Sequence, residues 1–176
     1  KVDYKQALDL TFYRRHPEIV AKELLGKILV RRIDKTILAA KITETEAYLS
    51  EGDFSCHSSC GKTKRNAPMF ENGGILYVYK IYGIHYCINF VTETEGKGSA
   101  VLIRAAEPIA GLDLMKRNRA CENIKQLCVG PGNLAKVFSF TTRDNYSSLK
   151  SPDLFIQSAD NQEMNILTTK RIGIIK

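Results

Sequence analysis

Glu44, Glu46 and Tyr48 occupy alternate positions of "KITETEAYLS", residues 41–50. Alternate residues of an extended strand share a face, so two carboxylates and a phenol point to one side, with Thr45 and Ala47 on the other. Such a row can simply be a solvated strand face. Beside aromatic walls, however, a glutamate at a strand end can hold a water and take its proton as general base. Three further polar residues bear on that choice. His57 lies in a polar stretch, either exposed or functional. Asn89 sits inside the apolar run "CINFV", where its amide must find a partner. Arg104 ends "AVLIR" and reads either as half of a buried ion pair or as the group that orients a carboxylate or water.

A second concentration of chemistry is aromatic. "LYVYKIYGIHYC", residues 76–87, carries Tyr77, Tyr79, Tyr82 and Tyr86, half of the eight tyrosines in a chain without tryptophan. Tyrosine is a good strand former, so aromatic packing on a sheet is one reading of this run. A surface on which a flat ring stacks is the other.

The elements that would position these groups follow from pattern and punctuation. "HPEIVAKELLGK" reads as a short helix, with Pro17 in its first turn, Ile19, Val20 and Leu24 on one face and Gly26 as C-terminal cap. "KILVRRI" and "TILAAKITETEAY" are β-rich runs joined by a tight hairpin at Asp34 and Lys35. From Leu49 to Gly74 the chain is polar and rich in Gly, Ser and Asn, a long loop of the kind that carries function. "ILYVYKIY" and "HYCINFV" form a second hairpin with Tyr82 at its tip. "SAVLIRAAEP" is a further strand, "IAGLDLMKRNR" and "GPGNLAKVF" are helical, and "DLFIQ" and "EMNILTT" are weaker strands. The class is α+β with a mainly antiparallel sheet.

Composition sets the outer limits. A chain of 176 residues with 44% apolar content suits one buried domain. No run of ~18 apolar residues is present to span a membrane. The first residues lack the apolar core of a secretion signal, and five cysteines do not pair off as a disulfide framework, so an intracellular, reducing setting is expected. Cys56, His57 and Cys60 have no matching second pair, and the H-x-E and P-C-x-x-C signature of the zinc deaminases is missing, so no metal or organic cofactor is expected. Lys and Arg number 26 against 19 Asp and Glu, a net charge of +7, with clusters in "RRIDK", "GKTKRN" and "MKRNR". That balance suits a polyanion, of which nucleic acid is the commonest.

Taken together, "ETEAYL", "CHSSCGKTKRNAPMF", "LYVYKIYGIHYCINFVT", "VLIRAAEP" and "GPGNLAKVF" resemble, in order and spacing, the alkyladenine (3-methyladenine) DNA glycosylase family. The match runs from the helix at Pro17 to the final "KRIGI". His85 in "YGIHYC" is closer to the family's bacterial branch. The resemblance implies a single α+β domain, 1–176, with a curved, mainly antiparallel sheet, flanking helices and a protruding β-hairpin. It implies a monomeric, monofunctional glycosylase of the cytoplasm, at the nucleoid, that starts base excision repair without a cofactor. Such an enzyme flips alkylated or deaminated purines, namely 3-methyladenine, 7-methylguanine, hypoxanthine and ethenoadenine, out of double-stranded DNA and hydrolyses the N-glycosidic bond.

By motif, Glu46 would activate the water and Arg104 would help place it. Tyr48, His57 and Tyr79 would enclose the base, Tyr77 would line the pocket, and Asn89 would crowd the exocyclic amine of normal guanine. Tyr82 would wedge into the minor groove, with Lys62, Arg65, His85 and Arg171 also at the DNA. Asn133 stands where the family often has lysine, and the family usually continues past "RIGIIK" with an aromatic and basic closing segment. A catalytically silent damage-sensing binder that uses the same hairpin wedge is the alternative, and a lyase with an amine nucleophile is a further rival.

Overall fold

The computed structural model describes residues 2–159 and 165–171. Among them, seven strands form one antiparallel sheet: β1 (Ile28–Ile33), β2 (Thr36–Tyr48), β3 (Leu76–Ile81), β4 (His85–Thr92), β5 (Ser99–Ala110), β6 (Lys150–Ser151) and β7 (Leu154–Gln157). Their order across the sheet is β3-β4-β5-β2-β1-β7-β6, which places the two long strands β5 and β2 side by side. The hairpin at Asp34 and Lys35 is as expected, with Asp34 at a positive φ of 52°.

The two faces of this sheet have different occupants. One carries the main core, in which Leu76, Val78, Ile88, Phe90, Val101 and Ile103 are fully or almost fully buried. Three helices pack there: α1 (Pro17–Leu24) on β2 and β5, α3 (Pro131–Val137) on β4 and β5, and α2 (Leu112–Arg119) on α3 and β2. The opposite face holds a smaller cluster of Tyr77, Val91 and Ala100, covered by Cys56 and Met69 from the long segment between β2 and β3. That segment has no regular element except a short 3-10 turn at Ala67–Phe70, so the expected loop is present.

A bulge sets which side chains of β2 meet which face. Leu38, Ala40 and Ile42 point into the main core. The register with β5 then slips between Ile42 and Glu44 and again between Glu44 and Thr45. Beyond the slip Thr45 turns to the helical side, donating its hydroxyl to the Ala21 carbonyl at 2.9 Å, and Ala47 packs on the core. An extra residue in one strand bends it and re-aims the side chains that follow. Here it presents Glu46 and Tyr48 on the open face.

Several details differ from the sequence reading. In α1, Val20, Ala21 and Leu24 are buried while Ile19 is exposed, because at 100° per residue Ile19 lies about 140° from Leu24 around the helix. Ile109 and Ala110 end β5 rather than begin a helix, and α2 starts only after Gly111, at φ +79°. α3 begins as read, with Gly130 before it and Pro131 at its first position. "DLFIQ" is a strand over Leu154–Gln157, with the short β6 as its partner. The proposed strand "EMNILTT" begins in residues outside those described, and its remainder, Asn165–Thr169, has no strand structure. Of the terminal "KRIGIIK", only Lys170 and Arg171 are described.

Candidate active site

Past the bulge, Glu46 is buried, with 7% of its surface exposed. Its two carboxylate oxygens have different partners. The Tyr48 hydroxyl donates to Oε2 at 3.0 Å, and Arg104 Nη1 lies 3.3 Å from Oε1. Arg104 reaches from β5 and also donates from Nε to Glu44 Oε1 at 2.9 Å. The alternation read from the sequence therefore holds for all three residues, and Arg104 is the cation that gathers both carboxylates. Glu44 is half-exposed, so of the two acids it is the outer one. Burial and the neighbouring Glu46 charge raise the Tyr48 phenol above its ordinary range, so the hydroxyl keeps the proton it donates.

Tyr48 is also one wall of a small cavity of about 60 Å³, lined by Tyr48, Ser55, His57, Met69, Tyr77, Tyr79 and Asn89. The β3–β4 register brings Tyr77 opposite Asn89 and Tyr79 opposite Cys87, which puts the strand's contribution on the same face as Glu46. The His57 and Tyr79 rings meet edge to face at 4.4 Å, while Tyr77 and Tyr79 lie 5.7 Å apart at 31°. His57 Nδ1 and the Tyr77 hydroxyl are 3.1 Å apart. Burial pushes the Tyr77 phenol up to about 12 and, followed by the Arg65 charge, holds His57 below its ordinary value. The pair is thus a neutral hydrogen bond near pH 7. The Asn89 amide donates weakly, at 3.4 Å, to the Tyr77 carbonyl. In this way the structure unites every residue that the sequence singled out for chemistry or for base binding.

The β3–β4 hairpin carries Tyr82 and Ile84 outward, with Tyr82 86% exposed. The Ile84 N–H donates to the Ile81 carbonyl at 3.3 Å. Tyr82 and Gly83 both have positive φ, 51° and 71°. For a bulky L-residue this conformation costs roughly 1–3 kcal/mol. Stability alone would favour Gly or Asn there.

Comparison with known proteins settles the family. The model of the methylpurine-DNA glycosylase family matches residues 11–176. This chain belongs to the methylpurine-DNA glycosylase family. It is 47% identical over 173 residues to a Methanoculleus marisnigri protein named "Putative 3-methyladenine DNA glycosylase", covering 96% of this chain and 89% of that one. Proteins of the same name from Chlorobium phaeobacteroides and Clostridium beijerinckii are 47% and 41% identical, covering 94% and 95% of this chain and 84% and 87% of theirs. The chain is accordingly a DNA glycosylase, a hydrolase of DNA repair that binds DNA.

Around the pocket of this glycosylase, the basic residues have distinct settings. Arg65 donates to the Lys80 carbonyl at 3.1 Å and holds its guanidinium 5.8 Å from the Tyr79 ring centre, so it stands at the aromatic wall. Lys62 is exposed, 3.9 Å from Glu71. His85 begins β4 beside the tip and packs against α3, where a Cβ on Gly132 would fall 3.3 Å from the His85 Cβ. Asn133 donates to the Val129 carbonyl at 2.7 Å. Arg171 has a different setting from the other three, being paired with Asp53 and lying over the Tyr48 ring. Among the described residues no group of three or more His, Cys, Asp or Glu is placed to hold a metal ion.

Three contributors were not singled out in the sequence. Met69 has a visible signal, an apolar "PMF" inside a polar loop. Asp53 carries the D-x-S spacing of a side chain that caps the backbone two residues on, and it accepts the Ser55 N–H at 3.1 Å. Ser55 itself has no signal beyond that turn.

Proposed function

We propose that this glycosylase flips alkylated or deaminated purines, such as 3-methyladenine, 7-methylguanine, hypoxanthine and ethenoadenine, into the aromatic pocket and hydrolyses the N-glycosidic bond with a water activated by Glu46. The supporting observation is the juxtaposition of a buried glutamate, held by Tyr48 on one oxygen and Arg104 on the other, with the wall of a pocket lined by three aromatic rings and a histidine. The carboxylate takes a proton from water. The water oxygen bonds to the anomeric carbon, and the bonding pair of the C–N bond leaves with the base. Glu46 thus supplies the general base and Arg104 its orientation.

The tyrosines give the pocket its selectivity for rings. Stacking on an aromatic face is worth ~1–3 kcal/mol per base, while unstacking costs a few kcal/mol and costs least at a damaged pair. The positive charge of 3-methyladenine and 7-methylguanine is attracted to those faces and makes the base a better leaving group. The neutral His57–Tyr77 pair sets no charge against such a cation. Asn89, buried on the pocket wall, is the group that would collide with the exocyclic amine of undamaged guanine. Tyr82 fills the space the base leaves, acting as an apolar wedge in the minor groove, and Lys62 and Arg65 engage phosphates.

The test is incubation with duplexes that each carry one lesion, followed by detection of abasic sites. Abasic product from the methylated purines is expected. Binding to lesion duplexes without abasic product would replace this reading with a silent damage sensor, and trapping by borohydride would instead reveal a lyase.

A further inference from the structure

Arg171 combines three contacts that no other basic residue near the pocket has. Its guanidinium makes a forked ion pair with Asp53, with Nη2 2.7 Å from Oδ1 and Nη1 against Oδ2. Nη1 also donates to the Ala47 carbonyl at 3.2 Å. The guanidinium carbon lies 4.7 Å from the centre of the Tyr48 ring, over its face. Asp53 in turn accepts the N–H groups of Leu49 and Ser55, each at 3.1 Å, and its side chain is almost fully buried. One carboxylate therefore closes the turn that leads from the end of β2 to the pocket residues Ser55 and His57. One arginine locks that carboxylate to the strand end.

We propose that Arg171 is a positioning residue of the active site rather than a phosphate contact: it clasps the 49–55 turn through Asp53 and fixes the Tyr48 ring, and through that ring the Glu46 carboxylate. The geometry leads step by step to this role. Ala47 lies between Glu46 and Tyr48, so an anchor on its carbonyl holds the backbone that carries both. The Tyr48 hydroxyl is the donor to Glu46 Oε2, so the plane of its ring sets where that oxygen sits. With Arg171 over one ring face, only the other remains for a flipped base. A planar, forked cation can do all of this at once, pairing bidentately while it lies on an aromatic face. A lysine offers only a point charge. The proposal rests on Glu46 being the base.

The test uses Arg171→Gln, Arg171→Lys, Asp53→Asn and the Arg171→Gln/Asp53→Asn double variant, each with its melting temperature measured. Single-turnover excision of 7-methylguanine is followed beside the salt dependence of binding to undamaged duplex. Arg171→Gln should lower the maximal excision rate about 10- to 100-fold, as small misplacements of catalytic groups do, with little change in the half-saturating concentration. The slope of log affinity against log salt should match wild type, because no phosphate contact is lost. Arg171→Lys should recover little, and the double variant should be no slower than the slower single one. If Arg171→Gln melts below the assay temperature, Asp53→Asn is the deciding variant and should show the same loss at the same salt slope. Excision at the wild-type rate would overturn the proposal. So would a salt slope reduced by about one with a loss confined to affinity, the mark of a phosphate contact. Glu46→Gln is assayed alongside: if it excises normally the base assignment fails, whereas a dead Glu46→Gln beside a fully active Arg171→Gln removes only the clasp.

Discussion

The same strands build two unlike surfaces. On one face of the sheet, Leu76, Val78, Ile88, Phe90, Val101 and Ile103 meet three helices in an apolar core. On the other, Tyr77, Tyr79, Asn89, Glu46, Tyr48 and Arg104 line or adjoin a small cavity beneath an irregular loop. Neighbours in sequence therefore have opposite roles: Val78 is buried in the core between Tyr77 and Tyr79 of the pocket. The core face is almost wholly apolar, its polar groups being few, such as the Thr45 hydroxyl on the Ala21 carbonyl, whereas the site face keeps a buried carboxylate because a guanidinium and a phenol are placed to satisfy it. A site on a strand inherits the rigidity of the core behind it, and a bulge, rather than a flexible loop, aims its acid.

That division predicts which substitutions break the fold and which break the chemistry. The largest expected effects form a matched pair. Phe90→Ala, on the core face, should cost about 3–5 kcal/mol of stability, read from denaturant unfolding. Glu46→Gln, on the site face, should cost about 10²–10⁴-fold in excision while its unfolding midpoint stays close to wild type. A Glu46→Gln protein that melts like Phe90→Ala would erase the distinction between the faces.

A smaller effect is expected at the hairpin tip. Tyr82→Asn should lower affinity for a lesion duplex about ten-fold, within the ~1–3 kcal/mol of one lost stacking contact, and should leave stability unchanged or slightly raised, because asparagine suits a positive φ. Thermal melting and lesion binding, measured together, check this. A loss of stability without loss of binding would put Tyr82 with the core.

The smallest effect is a dependence on pH. Burial and the Arg65 charge hold His57 below its ordinary value, so the folded protein favours the neutral ring. The unfolded chain binds the proton more readily. The stability this contributes is fully present above about pH 6.5 and is lost as pH falls from there through the folded value. Thermal midpoints from pH 8 to pH 5 should fall more steeply for wild type than for His57→Gln. Parallel curves would show that His57 is not held neutral by its pocket.

Much of this arrangement was legible in the residues. The E-x-E-x-Y alternation, the tyrosine-rich hairpin and the buried asparagine each follow from strand period and from the need of buried polar groups for partners, and the structure brings them together. What was hidden depends on register and on distant contacts. The bulge at Ile42–Thr45 changes which parity of β2 meets the core, and nothing in "KITETEAY" announces it. The pairing of Arg171 with Asp53 spans 118 residues, a contact that neither the motif resemblance that put Arg171 at the DNA nor its charge could reveal. Ile109 and Ala110 extend a strand because β2 offers them a partner, with Ala39 opposite Ala110, and tertiary pairing there outweighs local helical pattern.

The most direct measurement of the central claim is single-turnover excision from 7-methylguanine and hypoxanthine duplexes by Glu46→Gln, with Glu44→Gln as control and lesion binding followed in parallel. Both glutamates touch Arg104, but only Glu46 is buried and holds the hydroxyl of Tyr48, the residue that lines the pocket. Glu46→Gln should bind lesion DNA with near wild-type affinity and excise at least ~10²-fold more slowly, while Glu44→Gln should show a much milder loss. Excision by Glu46→Gln at close to the wild-type rate on both lesions would contradict the account.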